Sequence, residues 1–134
     1  MYLIDTNILL EILLSQEHAK EAKHFLDHTP RESLYLSDFS LHSIGLMLLR
    51  RQMGDVFINF VQDLLIGGGV RLVRLLAEDM QSLANIAQKF GLDFDDAYQY
   101  VTAEKYGLAI ISFDADFDRT DLQRKTPAEV VASR

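Results

Sequence analysis

Residues 93–117 read DFDDAYQYVTAEKYGLAIISFDADF, and the elements written into that stretch decide the fold. Asp93 to Tyr106 is amphipathic and ends at Gly107, the residue type that most readily takes the left-handed conformation closing a helix. Leu108-Ala109-Ile110-Ile111 follows as an unbroken apolar run, which predicts a strand buried on both faces. Ser112-Phe113-Asp114 comes directly after it, so polar groups stand at the carboxyl end of that strand. A helix leading straight into such a strand is the pattern of a parallel sheet covered by helices.

The rest of the chain extends the pattern. Tyr2-Leu3-Ile4 predicts a first short strand, and the apolar residues from Ile8 to Leu14 predict a helix lying on the sheet. Ser15 is expected to cap a second helix, in which Ala19, Ala22, Phe25 and Leu26 recur at three- and four-residue steps before Pro30. Leu34-Tyr35-Leu36 predicts strand two, with Ser37 or Asp38 capping a long apolar helix that reaches about Met53 and closes at Gly54. Another helix is expected from Asp55 to the Gly67-Gly68-Gly69 turn. Val70 to Leu75 reads as strand three, alternating with arginines on one side, and Ala77 to Phe90 as an amphipathic helix stopped by Gly91. Beyond Phe117 the chain reads as an irregular polar tail in which Val130 and Val131 form a last, weak strand. The expected architecture is α/β: one domain over residues 1–134, a three-layer α/β/α sandwich around a central parallel sheet.

Composition narrows the function classes. Hydrophobic residues make up 49% and charged residues 25%, a globular balance that argues against disorder. Thirteen Lys plus Arg against twenty Asp plus Glu give a net charge of -7, the wrong sign for gripping phosphate backbones by bulk electrostatics. A nucleic-acid partner must then be held locally, by bound metal or by basic residues such as Arg50, Arg51, Lys20, Lys23, Arg71, Arg74, Lys105 and Arg119. With no cysteine there is neither a disulfide framework nor a thiolate zinc site. Asp5, Asn7 and Glu11 interrupt the apolar start, and no run reaches the ~18 apolar residues of a membrane span, so a cytoplasmic protein without membrane contact is expected.

In sheets of this kind, ligands bind outside the carboxyl ends of the strands. Asp5 stands there after strand one, Ser37-Asp38 after strand two, and Ser112 with Asp114 after strand four. Asp5, Asp96, Asp114 and Asp116 are therefore the candidate chemical residues. Carboxylates that converge repel one another, and a hard divalent cation with oxygen ligands, Mg²⁺ or Mn²⁺, relieves the repulsion. Such a site suits phosphodiester hydrolysis. Helix-end chemistry competes with that reading: Asp5 can cap the helix starting near Thr6, and Asp93 can cap a helix whose first-turn acid is Asp96. A calcium loop starting at Asp114 fails, because Arg119 stands where glycine is needed and Lys125 where glutamate is needed.

Taken together, Asp5-Thr6-Asn7 after the first strand, Asp96-Ala97 opening a late helix, and Ser112-Phe113-Asp114-x-Asp116-Phe117 after the next strand resemble the PIN-domain family, the fold of VapC-type toxin ribonucleases. The resemblance runs from Tyr2 to about Phe117. It implies a metal-dependent endoribonuclease acting on single-stranded or structured RNA, with Mg²⁺ or Mn²⁺ as cofactor. It also implies the toxin role of a toxin-antitoxin pair, an antitoxin protein as partner, and a homodimer. Carried over by position, Asp5, Asp96 and Asp114 match metal ligands, Asp116 their catalytic companion, and Thr6, Asn7 and Ser112 supporting residues. In Leu36-Ser37-Asp38-Phe39-Ser40-Leu41-His42-Ser43, the family usually carries a glutamate where this chain has Ser43. His42 points about 100° away on a helix and does not replace it, while Glu11 is a further candidate that could fold in from the first helix. The missing acid keeps a rival open, a PIN-fold binding or regulatory module with weak or no catalysis. A receiver-like signalling domain fits the length and acidity, but it wants an acidic pair after strand one and a lysine after the last strand, where this chain has Asp5 alone and Asp114.

Overall fold

The computed structural model describes residues 1–133. Four parallel strands, β1 (Tyr2–Ile4), β2 (Leu34–Ser37), β3 (Arg71–Val73) and β4 (Ala109–Ile111), form one sheet in the order β3-β2-β1-β4. Leu3 pairs with Tyr35 on one side and Ile110 on the other, and Leu36 pairs with Leu72. The helices are α1 (Thr6–Leu13), α2 (Ala19–Asp27), α3 (Asp38–Arg50), α4 (Gly54–Phe60), α5 (Met80–Phe90), α6 (Phe94–Tyr106) and α7 (Pro127–Ala132).

Strand side chains alternate between the two faces, so neighbouring residues of β1 and β4 enter different cores. Ile4 and Ile111 join Leu34 and Leu36 in a core with Ile8 of α1, Phe25 of α2, Ile44 of α3 and Val130 of α7. Leu3 and Ile110 join the other, against Leu83 of α5 and Tyr98 and Val101 of α6. The result is the three-layer α/β/α sandwich expected from the apolar strands. Among the described residues no helix is long and apolar enough to cross a membrane.

Several local expectations need correction. Ser15 does not cap α2: it sits at φ 52° in the turn after α1, and the N-cap of α2 is His18. The His18 amide instead donates to Glu11 Oε1 at 3.0 Å, a cap supplied by the preceding helix. Gly54 does not close α3, which ends at Arg50; Gln52 makes the left-handed turn and Gly54 begins α4. The chain turns back because α4 lays Phe57 on Gly45 of α3, where an added Cβ would lie 3.1 Å from the Phe57 ring. That helix continues to Ile66 with wider π-type turns. In β3 the expected alternation fails, since Arg71 and Leu72 are both exposed on an edge strand that stops at Val73. Val130 and Val131 lie in α7, not in a strand. Thr126 Oγ1 accepts from the Glu129 amide at 3.3 Å and Glu129 Oε1 accepts from the Thr126 amide at 3.2 Å, a capping box with Pro127 at the first helical position. The tail pairs with β4 at Lys125 instead, whose amide donates to Ile110 O at 2.8 Å.

Candidate functional site

All four strands point the same way, so the residues after β1, β2 and β4 gather at one sheet edge, where α6 also begins. There a cleft of about 280 Å³ is lined by Asp5, Asp96, Asp114, Ser43, Gln99 and Asp95 among others. Asp96, Asp114 and Asp116 each bring a carboxylate oxygen to within 4.8 Å of the others. Asp5 stands beside that trio, close enough for its charge to act on Asp96 and to feel that of Asp114.

Asp5 is 6% exposed and heavily hydrogen-bonded. Oδ1 accepts from the Thr6 amide at 2.8 Å and from Gln99 Nε2 at 3.0 Å, while Oδ2 accepts from Ser112 Oγ at 2.7 Å and Asn7 Nδ2 at 3.3 Å. Its Thr6 contact makes it the N-cap of α1 as well as a cleft residue, so the capping and site readings coincide in one side chain. Burial raises its pKa; the bonds from Ser112, Gln99 and Thr6 oppose that shift and Asp114 adds to it.

Asp96 lies in the first turn of α6, whose cap is Asp93, with Asp93 Oδ1 accepting from the Asp96 amide at 2.9 Å. The cap and the cleft acid are thus separate residues. Burial first, then Asp114, Asp93 and Asp5, push the Asp96 carboxyl up to about 8. Asp95 is raised as well, by burial and by Asp93. Asp114 is anchored by its own amide, which donates to Ser112 Oγ at 2.9 Å, and its Oδ1 accepts from the Asp116 amide at 2.8 Å. Asp116 is exposed and pairs with Arg119 at 3.4 Å. Asn7 ties the strand ends together, donating to Ser112 Oγ at 3.1 Å and accepting from the Phe113 amide at 3.3 Å.

Ser43 lines the cleft but adds no charge to it. His42 faces elsewhere, onto an apolar groove with Leu41, Leu46, Leu49 and Phe57. Glu11 does not fold into the cleft, because its carboxylate is committed to His18. Thr6 reaches the site through its hydroxyl, which donates to Ser40 Oγ at 2.8 Å.

Sequence reading missed Gln99, Ser40 and Asp95. Gln99 is 2% exposed and its Nε2 also donates to Ser40 Oγ at 2.7 Å. A signal existed: Gln99 is a lone amide between Tyr98 and Tyr100, three residues after Asp96 and therefore on the same helix face. Ser40 had none beyond its place three residues after the cap Ser37, to whose Oγ its amide donates at 3.0 Å.

The cleft joins buried carboxylates of raised pKa to all-oxygen donors, and no cationic side chain among the described residues lines it, which fits a hard divalent ion. Bound there, such an ion replaces the repulsion between these acids with attraction.

Comparisons with known proteins agree with this fold. No curated protein sequence matches. Among solved structures, the chain is similar to Mycobacterium tuberculosis VapC20, described as a sarcin-ricin loop cleaving toxin, with a TM-score of 0.80 and 17% identity over 95% of this chain and 100% of that one. It is similar to a chain of a Klebsiella pneumoniae toxin-antitoxin complex, with a TM-score of 0.75 and 21% identity over 95% and 98%. Neisseria gonorrhoeae FitAcB gives a TM-score of 0.70 and 22% identity over 96% and 99%. These likenesses bear on the fold. The PIN domain model matches residues 2–122, and on that match the chain belongs to the PIN domain family.

Proposed function

We propose that this protein is a metal-dependent endoribonuclease that hydrolyses RNA phosphodiester bonds, acting as one domain over residues 1–134 and as the toxin of a toxin-antitoxin pair. The observation that carries the reading is the approach of Asp96, Asp114 and Asp116 to within 4.8 Å of one another, beside a cleft lined by Asp5, Asp96 and Asp114. The structural neighbours support its biological half, since one belongs to a toxin-antitoxin complex and another is a toxin that cleaves the sarcin-ricin loop. An antitoxin protein, a homodimeric state and a cytoplasmic location belong to the same proposal.

Asp5, Asp96 and Asp114 would hold Mg²⁺ or Mn²⁺, with Asp116 beside them. When bound, such an ion would supply Lewis-acid chemistry for phosphodiester hydrolysis. The chain's own part is to fix the donors and move protons. Ser112, Asn7 and Thr6 hold Asp5 rigidly at the end of β1. Asp96, raised to about 8, keeps a proton near neutral pH until a cation takes its place. Among the described residues no cationic side chain lines the cleft itself, and Arg119 pairs with Asp116 beside it, so a bound ion would add local positive charge to a chain of net charge -7.

A second reading, a PIN-fold binding module with weak catalysis, is favoured by Ser43, which lines the cleft without a carboxylate. One experiment separates the two: Mn²⁺-dependent cleavage of single-stranded RNA by the wild type, Asp96→Asn and Asp114→Asn. Cleavage that EDTA abolishes and both substitutions remove supports the ribonuclease; binding of Mn²⁺ without cleavage supports the module.

A further inference from the structure

Gln99 has a pattern of contacts that hydrogen bonding alone does not account for. A carboxylate offers about four lone-pair positions, and those of Asp5 are all engaged, by Thr6, Gln99, Ser112 and Asn7. The Thr6 donor is a backbone amide, and Ser112 and Asn7 are bound to each other and to the backbone of residues 113 and 114. Gln99 is different: it arrives from α6, and its amide nitrogen donates to Asp5 and Ser40. Its Oε1 is buried without a hydrogen-bond partner among the described residues. Buried carbonyl oxygens are seldom left unpaired in folded proteins, and a coordinated ion is one way of satisfying them.

We propose that Gln99 contributes its amide oxygen to the divalent cation held by Asp5, as the neutral oxygen ligand of a site where Ser43 supplies no carboxylate. This deepens the ribonuclease reading and rests on its metal site. The last side-chain bond of glutamine turns between two broad orientations, and that turn exchanges Nε2 with Oε1. The place now held by Nε2 is 3.0 Å from Asp5 Oδ1. Neighbouring oxygens around an octahedral ion with bonds of about 2.1 Å lie about 3.0 Å apart, so that spacing suits two ligands of one cation. Ser40 Oγ, 2.7 Å from the same place, is a hydroxyl that can turn to donate to the incoming oxygen. The exchange also removes a donor from Asp5 and so frees one of its lone pairs, while Nε2 moves to the buried place where Oε1 now lies without a partner among the described residues, a cost that coordination must outweigh. Without a cation, Nε2 faces the carboxylate; with one, Oε1 faces the ion. Asp96, one turn earlier on α6, lines the same cleft.

The test is Mn²⁺ affinity of the RNA-free protein, measured from the free Mn²⁺ signal by electron paramagnetic resonance. Gln99→Met keeps the length and removes the oxygen, and is expected to weaken binding about tenfold. Gln99→Glu is expected to bind at least as tightly as the wild type. A Gln99→Met protein that binds Mn²⁺ equally or more tightly would reduce Gln99 to a restraint on Asp5 and overturn the proposal. A second measurement needs no substitution: in the wild type, Mg²⁺ is expected to shift the Gln99 side-chain ¹⁵N–H₂ resonances, and resonances that stay still at saturating Mg²⁺ overturn it as well. If the wild type binds no Mn²⁺, the metal site of the ribonuclease reading fails with it; if the wild type binds and the Gln99 readouts do not move, only Gln99 loses its role.

Discussion

Ser112 Oγ donates to Asp5 Oδ2 at 2.7 Å, joining the carboxyl ends of two adjacent parallel strands, β4 and β1. This is the shortest of the four bonds that hold the buried Asp5 carboxylate. Ser112→Ala leaves that oxygen with one long contact to Asn7, and leaving a buried acceptor short of its partner costs about 1–3 kcal/mol. Urea denaturation at neutral pH is expected to show a loss in that range, with Ser112→Thr, which keeps the hydroxyl, closer to the wild type. Equal stability of the alanine variant would mean that this bond contributes nothing net.

Metal-free stability should fall as pH rises. Asp96 is held up to about 8 and Asp5 is raised in the same direction, whereas unfolded carboxylates titrate near 4. The folded protein therefore keeps protons that the unfolded chain releases. Its contribution from these groups is full below about pH 4 and is lost as pH climbs toward about 8. Asp79 and Glu129 shift the other way, Asp79 through bonds to Leu76 and Lys105 and Glu129 through bonds to Thr126, so the comparison that isolates the cleft is wild type against Asp96→Asn. Melting temperature followed against pH in EDTA should decline more steeply for the wild type; parallel curves would remove Asp96 as the cause.

Ser43→Glu puts a carboxylate into a cleft that already holds Asp5, Asp96 and Asp114. Without metal, the added repulsion should lower the melting temperature. With Mn²⁺ present, the same charge becomes a ligand, so affinity should rise about tenfold and the melting temperature should recover by mass action. A loss of stability that millimolar Mn²⁺ does not restore would place residue 43 outside the metal's reach.

Thr126→Ala removes the reciprocal cap of α7 and should cost about 1 kcal/mol. The effect on the fold should stay local to α7 and the packing of its Val130, leaving Mn²⁺ affinity unchanged, since the capping box lies outside the acidic cleft. Denaturation and Mn²⁺ titration of this variant check both halves, and a change in metal affinity would tie the tail to the site.

The sheet and the acids at its edge were legible in the residues alone. An unbroken apolar run as short as Leu108 to Ile111, set directly after a helix-ending glycine, suits a strand buried on both faces, and Gly91 and Gly107 mark helix ends because glycine takes φ near +65° without strain. Once parallel order follows from those runs, Asp5, Ser112 and Asp114 must meet at one edge. Short-range chemistry was also legible where it was not read: the Thr126-Pro127-x-Glu129 box specifies α7 as plainly as any cap in the chain.

Other features rest on contacts between separate elements of the fold, which local sequence does not specify. The start of α2 is capped by Glu11, which lies on the previous helix and not in the residues just before α2, so the usual sign of a capping side chain at the helix start is missing. Gln99 reaches Asp5 across 94 residues and Ser40 across 59. Helical periodicity placed Gln99 on the face of Asp96, but a hydrogen bond needs a distance as well as a face, and that distance is set by how closely α6 packs on the sheet through Tyr98 and Val101.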